Sequence, residues 1–160
     1  CRACIEACPT NCILPNRTID SRRCISYLTI ELRTGIPEEL RRDTGSWVFG
    51  CDVCQQVCPW NKKHASPTED EGFSFREDIA YPALIEELSL DQSGFSSKFK
   101  GSPIKRAKHR GYLRNVLAAL GNTGGRDALP AIRRLLGHGD EMIREHAEWA
   151  EKEILKRSAM

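Results

Sequence analysis

Cysteines at short, repeated intervals are the residues best able to do chemistry in this sequence. Residues 50–61 read GCDVCQQVCPWN and residues 1–9 read CRACIEACP, so both contain the spacing C-x2-C-x3-C-P. Thiolates two and three residues apart can bind one metal centre together, and a cysteine before a proline can bind a second one, as in bacterial iron–sulfur proteins. Two copies of this spacing, with Cys24 between them, predict two [4Fe–4S] clusters.

The spacing also divides the predicted ligands between the two clusters. Four cysteines complete one set: Cys8, Cys24, Cys51 and Cys54. Three belong to the other set: Cys1, Cys4 and Cys58. We expect the missing fourth ligand three residues upstream of Cys1, and any other residue there would leave an open iron for a substrate. Cys12 lies outside the repeated spacing and is predicted to be a small buried residue.

Two other uses of cysteine compete with iron–sulfur binding. All eight cysteines lie in residues 1–58, but spacings of two and three residues are too short for comfortable disulfides. Zinc is the more serious alternative, because structural zinc sites also use C-x2-C pairs. The proline after each last cysteine and the interleaved spacing favour iron–sulfur clusters.

The composition predicts a soluble, folded chain of one or two small domains. The sequence has 160 residues, a net charge of +2 and 40% hydrophobic residues. No apolar run approaches the roughly 20 residues of a membrane span. Because the first residue is Cys rather than Met, we expect this to be the C-terminal part of a longer protein.

The predicted fold class is mainly α with irregular loops. Residues 1–64 are predicted to form a two-[4Fe–4S] ferredoxin-like domain, 65–100 a connecting segment with a short helix, and 101–160 a HEAT-like helical repeat. Residues 25–31 are apolar and β-branched, and periodicity alone cannot decide between a short strand and a turn of helix. Residues 36–43 are predicted to form a short helix.

Three later helices are marked by caps and breakers. One begins at Ser102-Pro103 and ends near Leu120, a second covers 126–136, and a third begins after Asp140. Trp149 is predicted to pack in the core. The four histidines are predicted to lie at the surface: His64, His109, His138 and His146.

A run of basic residues without acids is the second chemical signal. Residues 92–126 contain eight Lys or Arg and no Asp or Glu. Such a run is usually a solvated face, but the missing acids favour nucleic-acid binding. Arg106, Arg110 and Arg114 are spaced to lie on one helix face. The predicted RNA contacts are Arg41, Arg42, Lys98, Lys100, Lys105, Arg106, Lys108, Arg110 and Arg114.

Four phrases of the sequence resemble the epoxyqueuosine reductase family of tRNA-modifying enzymes. They are CRACIEACPT at 1–10, RCISYLTIE at 23–31, GCDVCQQVCPWN at 50–61 and GSPIKRAKHRGYLRNVLAALGN at 101–122. They follow the family's order from end to end. One departure is Asn11-Cys12, where the family commonly has Gly-Ala.

The resemblance implies an oxidoreductase that reduces epoxyqueuosine to queuosine in the tRNA anticodon loop. It implies that two clusters pass electrons to cobalamin, whose low-valent cobalt attacks the substrate. It places the catalytic acid and most of the cobalamin pocket upstream, so no catalytic residue is expected in this chain. Glu31 is the expected cobalamin contact. The implied partners are tRNA and an external electron donor, and we expect a cytoplasmic monomer.

Three other functions remain open from the sequence. A two-cluster ferredoxin-type electron carrier explains the cysteines equally well but not the acid-free basic run. A cobalamin-dependent reductive dehalogenase shares the cofactor plan, although a basic RNA-binding helical tail is not expected there. A zinc-based RNA-binding protein is the last alternative.

Overall fold

The computed structural model describes residues 1–74 and 76–159, which are mainly α-helical with irregular loops. The first part contains α1 (Ala3–Ala7), α2 (Ile25–Ile30), α3 (Glu38–Arg41), α4 (Val53–Gln56) and α5 (Pro59–His64). The second part contains α6 (Glu77–Ala80), α7 (Leu84–Glu87), α8 (Gln92–Lys98), α9 (Lys108–Thr123), α10 (Leu129–Arg134) and α11 (Glu141–Arg157). The mainly α prediction is confirmed.

Strands play almost no part in the fold. Over the two described ranges, the only extended pairing is an isolated antiparallel bridge between Ile13 and Ile19. The turn between them is closed by a hydrogen bond from the Leu14 N–H to the Thr18 carbonyl at 2.9 Å. In the same part of the chain, no helix is long and apolar enough to cross a membrane.

The repeated cysteine spacing corresponds to a repeated local structure. Each copy holds a short helix, α1 or α4, and these two helices pack against each other. Cys8 and Cys58 both have extended backbones, with ψ of 115° and 119°. A residue before proline is driven to that conformation by the proline ring, so each loop turns away after its last cysteine.

The segment 25–31, left open by its periodicity, is helical over most of its length. In α2, Ile25 and Leu28 are buried one turn apart on the same side of the helix. Thr29 is also buried, and its hydroxyl donates to the Ile25 carbonyl at 2.7 Å. That hydroxyl also accepts the Gly50 N–H at 3.0 Å, which links α2 to the start of the second cysteine loop.

The helix predicted from Ser102-Pro103 is broken into two parts. A 3-10 helix covers Pro103–Ala107, with the Ser102 hydroxyl accepting the Ile104 N–H at 3.3 Å, and α9 follows. The break falls at Lys108, whose φ of 61° and ψ of 159° lie in a region that side chains rarely adopt. Nothing in the residue type of Lys108 signals such a break.

The core is built around α9, against which α11 packs most extensively. Every residue of α9 from Gly111 to Gly121 is buried. Trp149 of α11 is 6% exposed, which confirms its predicted packing role. The predicted cap is also confirmed, because the Asp140 carboxylate accepts the Met142 N–H at 2.9 Å.

The surface prediction is wrong for His146. Its ring is fully buried, with Nε2 accepting the Ile36 N–H at 3.2 Å and Nδ1 donating to the Met142 carbonyl at 2.8 Å. Burial lowers the pKa of His146 to about 3, so the ring is neutral. Of the other three, His64 is exposed, as predicted, whereas His109 and His138 are half-buried.

A small second core joins the cysteine-rich part to α9. It consists of Leu28 from α2, Ile36, Leu40 from α3 and Ala118 from α9. This contact means that α9 supports the loops that carry the predicted ligands.

Candidate iron–sulfur site and basic surface

One small, largely apolar cavity is enclosed by the two cysteine loops and the segment between them. The residues that line it include all four cysteines of the first predicted set: Cys8, Cys24, Cys51 and Cys54. Cys8 ends α1, Cys24 precedes α2, and the other two belong to the loop around α4. The structure therefore brings together four cysteines from three separate segments, as the ligand prediction requires.

Four thiols around one cavity are a donor set that an iron–sulfur cluster uses, and four cysteines can also hold a zinc ion. Thiols spaced around a cavity suit a four-iron cube, whose corners each take one cysteine.

Hydrogen bonds prepare Cys8 to act as a thiolate. Burial pushes the pKa of the Cys8 thiol up, but the Cys12 N–H and the Thr10 hydroxyl outweigh it and leave the pKa below its ordinary value. The Cys12 nitrogen lies 3.3 Å from Cys8 Sγ, and Thr10 Oγ1 lies 3.7 Å from it. For Cys51, burial raises the pKa, so binding of a metal centre would have to displace its proton.

Cys12 is buried beside this site, as predicted, with 4% exposure. It lines the same cavity, and its Sγ lies 3.4 Å from Cys8 Sγ. Burial raises the pKa of Cys12 to about 12, so its thiol keeps its proton. The neighbouring Asn11 has a φ of 51°, which explains why glycine suits this position and asparagine is an acceptable substitute.

The three cysteines of the second predicted set lie in the same two loops as members of the first set. Cys1 is exposed, whereas Cys4 in α1 and Cys58 before α5 are half-buried. The packing of α1 on α4, and of α4 on α5, brings these loops together. Ligation of a cluster by these three cysteines stays a prediction.

Most Lys and Arg side chains of the basic run are exposed. Those exposed are Lys100, Lys105, Arg106, Lys108, Arg110 and Arg126, and Arg42 from the first part of the chain is exposed as well. Lys98 is half-buried.

Acids from distant parts of the sequence neutralise much of this run. Glu31 pairs with Arg106, Asp140 with Arg110, and Glu87 with Lys98. Arg42 makes two hydrogen bonds to the Glu153 carboxylate, at 2.9 and 3.0 Å. Acids from elsewhere in the chain therefore compensate part of the positive charge of residues 92–126.

Two predicted RNA contacts are wrong because their side chains are inside the protein. Arg114 is 1% exposed, and its guanidinium donates to the carbonyls of Leu28 at 2.6 Å and Leu32 at 2.9 Å. Burial lowers the pKa of Arg114 to about 10, which still leaves it charged at neutral pH. Arg41 is 8% exposed and donates to the Ile36 carbonyl at 2.8 Å.

Arg33 is a basic residue that the sequence pattern does not single out. Its side chain is exposed and donates to the Arg106 carbonyl at 2.7 Å, while the Arg110 side chain donates to the Arg33 carbonyl at 2.9 Å. Arg33 lies far from the basic run in sequence, so only the fold brings it there. We define the basic surface as Arg33, Lys105, Arg106, Lys108 and Arg110.

Glu31, the expected cobalamin contact, lies at the end of α2 next to this surface. Its carboxylate pairs with Arg106 and lies 3.9 Å from an Arg33 nitrogen. A contact between Glu31 and cobalamin stays a prediction.

The chain is similar to known proteins, first over its cysteine-rich part and then over nearly its whole length. Residues 1–61 match the family model of the 4Fe-4S double cluster binding domain. The chain is 46% identical over 154 residues to the epoxyqueuosine reductase of Aliivibrio fischeri, covering 96% of this chain and 41% of that protein. It is 42% identical over 158 residues to that of Escherichia coli (strain K12), covering 98% and 41% respectively.

Solved structures agree over nearly the whole chain. The crystal structure of epoxyqueuosine reductase with a tRNA-Tyr epoxyqueuosine-modified tRNA stem loop matches with a TM-score of 0.89 at 31% identity, covering 96% of this chain and 41% of that one. The epoxyqueuosine reductase of Streptococcus thermophilus matches with a TM-score of 0.87 at 29% identity, covering 98% and 41%. The chain thus spans about two fifths of the length of these relatives. In both sequence and fold, it is similar to the corresponding part of epoxyqueuosine reductases.

Proposed function

We propose that this chain is the electron-transfer and tRNA-binding part of an enzyme that reduces epoxyqueuosine to queuosine in tRNA. The observation that carries the proposal is the single cavity lined by the four cysteines of the first predicted set. The relatives that match nearly the whole chain are epoxyqueuosine reductases, which supports this activity for the full-length protein.

Two [4Fe–4S] clusters supply one-electron transfer when bound, and this chain's residues hold and tune them. Cys8, Cys24, Cys51 and Cys54 hold one cluster. Cys1, Cys4 and Cys58 hold the other with a fourth cysteine from outside this sequence. The apolar walls of the cavity keep water from the first cluster, and backbone N–H groups donate to its thiolates. The match of residues 1–61 to the 4Fe-4S double cluster binding domain supports two clusters here, and the division of the ligands rests on the cysteine spacing.

Cobalamin is proposed to bind mainly to residues outside this sequence. Glu31 is the contact that this chain contributes, and its pairing with Arg106 would hold the carboxylate in place. No catalytic residue is assigned to this chain. Electrons enter from an external donor.

The basic surface is proposed to bind phosphates of the tRNA anticodon stem-loop. A relative of the same fold has been crystallised with an epoxyqueuosine-modified tRNA stem loop, which supports this partner. Phosphate contacts position an RNA without reading its bases, so the choice of the modified base belongs to another part of the enzyme. Of the predicted contacts, Arg42, Lys98 and Lys100 lie outside the basic surface and are proposed as peripheral ones.

The finer architecture is proposed from the sequence. Residues 1–64 form a ferredoxin-like domain, 65–100 a connection, and 101–160 a HEAT-like repeat, in which α11 packs on both α9 and α10. We expect the full-length protein to be a cytoplasmic monomer that does not enter a membrane.

One observation favours an alternative, a two-cluster electron carrier that does not bind RNA. The ion pairs of Arg106 with Glu31 and of Arg110 with Asp140 are what a structural, solvated surface would contain. The alternative does not explain the exposed Lys105 and Lys108 beside these pairs.

The proposal is tested by nucleoside analysis of tRNA from cells that lack the full-length gene and have no second reductase. We expect epoxyqueuosine to accumulate in place of queuosine, and a plasmid copy of the gene to restore queuosine. Normal queuosine in the deletion strain would contradict the proposal and leave the electron carrier as the better account.

A further inference from the structure

Cys12 is the one cysteine that belongs to neither of the proposed ligand sets. It is buried, follows Cys8 by four residues and lines the cavity of the first cluster set. A buried thiol beside a cluster changes the polar environment of that cluster without changing its ligand count.

The proposed ligation of Cys8 decides the direction of its hydrogen bond with Cys12, because without a metal either sulfur could donate. Cys8 Sγ receives the Cys12 backbone N–H at 3.3 Å, and it lies 3.4 Å from Cys12 Sγ and 3.7 Å from Thr10 Oγ1. A thiolate bound to iron has no proton and can only accept. The proton between the two sulfurs therefore belongs to Cys12, which donates it to Cys8.

Donors aimed at a ligand sulfur favour the reduced form of a cluster. Reduction adds one negative charge, which the donor stabilises, so the reduction potential rises. The effect is strengthened where water is excluded, because the local dielectric constant is low. Cys12 satisfies this condition, since the residue is 4% exposed.

We propose that Cys12 is a positioning residue whose thiol donates a hydrogen bond to the Cys8 sulfur and raises the reduction potential of the cluster held by Cys8, Cys24, Cys51 and Cys54. This inference rests on the proposed ligation of that cluster. It makes this cluster easier to reduce than the same cluster with alanine at position 12, while the second cluster is unaffected.

The test is a redox titration of the full-length protein with both clusters, followed by electron paramagnetic resonance. The signal of interest is the one that disappears in Cys54→Ala. Cys12→Ala keeps the backbone donor and loses the thiol donor. We expect its ratio of reduced to oxidised cluster at a fixed potential to fall about fivefold, which is about 40 mV for a one-electron couple.

Two further variants separate the hydrogen bond from packing. Cys12→Ser keeps a side-chain donor, and its potential should stay near that of the unmodified protein. Ile13→Val removes one methyl group from the wall of the same cavity but no donor, and it should leave the potential unchanged. The second cluster serves as an internal reference in every variant.

Three results would overturn the inference. Equal potentials in Cys12→Ala and the unmodified protein would show that the thiol does not act on the cluster. Loss of iron from Cys12→Ala would show that Cys12 is a ligand instead. If the unmodified protein contained no cluster, the proposed ligation itself would be refuted. That result differs from the first two, in which the unmodified protein does hold the cluster.

Discussion

Three polar side chains on α9 hold the loops that carry the predicted ligands. Arg114 donates to the carbonyls of Leu28 in α2 and of Leu32 just after it, and the Asn115 amide donates to the carbonyls of Thr29 at 2.7 Å and Val48 at 2.8 Å. Asn122 donates to the Gly45 carbonyl at 2.9 Å. Carbonyls away from water need hydrogen-bond donors, and side chains of α9 supply them here.

The location of the Arg114 side chain could not be predicted from the sequence pattern. The spacing of Arg114 from Arg106 and Arg110 predicts a shared helix face, and a charged residue is expected at the surface. Arg114 is buried instead because it donates to carbonyls from a distant part of the chain, and no local sequence pattern indicates those carbonyls. The structure places Cys8, Cys24, Cys51 and Cys54 around one cavity, as the repeated spacing led us to expect, and ligation by them stays a prediction.

His146 gives a residue-scale prediction about pH. Because its folded-state pKa is about 3 and an unfolded histidine titrates near 6.5, the unfolded chain binds the extra proton between these values. His146 therefore leaves the free energy of unfolding unchanged above about pH 6.5. Below that pH it lowers the free energy of unfolding, by up to about 1.4 kcal/mol per pH unit.

The matched variant is His146→Gln, which can accept from Ile36 and donate to Met142 without titrating. We expect the melting temperature of the unmodified protein, measured by circular dichroism, to fall faster below pH 6.5 than that of the variant. Parallel curves for the two proteins would rule out this role for His146.

At the scale of elements, the close approach of α9 and α11 depends on Gly121. A Cβ atom at this position would lie 2.2 Å from Trp149 Cζ3 and 3.1 Å from the Ala150 Cα. Trp149 is buried and the second neighbour is backbone, so neither can move aside cheaply. The glycine is therefore required by packing rather than by an unusual backbone conformation.

We expect Gly121→Ala to destabilise the protein by about 1–3 kcal/mol, as overpacking does in other cores. Gly137→Ala is the matched control, because a Cβ there meets nothing within 4 Å. Chemical denaturation of both variants provides the measurement. Equal stability of the two would mean that α9 and α11 do not pack as described.

Element boundaries were predictable where a specific residue marks them. Asp140 caps α11 in the structure as its side-chain chemistry predicts. The break at Lys108 and the helical state of residues 25–31 were not predictable, because backbone strain leaves no mark in composition and short apolar segments fit either structure.

At the scale of the whole molecule, the fold decides how much of the basic run is free to bind an anion. Lys105 and Lys108 are exposed, and within 1–74 and 76–159 neither has an acidic partner within 4 Å. Their neighbours Arg106 and Arg110 are already paired. Long-range pairing of this kind lies beyond what charge counting along a sequence can predict.

We expect the double variant Lys105→Glu and Lys108→Glu in the full-length protein to weaken binding of an anticodon stem-loop at least about tenfold. The slope of log affinity against log salt should fall by about two, roughly one for each lost phosphate contact. The measurement is fluorescence anisotropy over a range of salt concentrations.

A control with the same change in charge uses α10. Arg133 and Arg134 are also exposed, but they lie outside the basic surface. Reversal of both to Glu should leave affinity and salt slope nearly unchanged. An equal loss in the two double variants would show that net charge alone matters and that the basic surface is not the RNA site.

The cluster site itself is tested most directly by removing one predicted ligand and one predicted non-ligand. Iron content and electron paramagnetic resonance of the full-length protein should show two [4Fe–4S] clusters in the unmodified form and in Cys12→Ala, but only one in Cys54→Ala. Circular dichroism checks that both variants are folded. Two intact clusters in folded Cys54→Ala would contradict the assignment of the four cysteines that line the cavity.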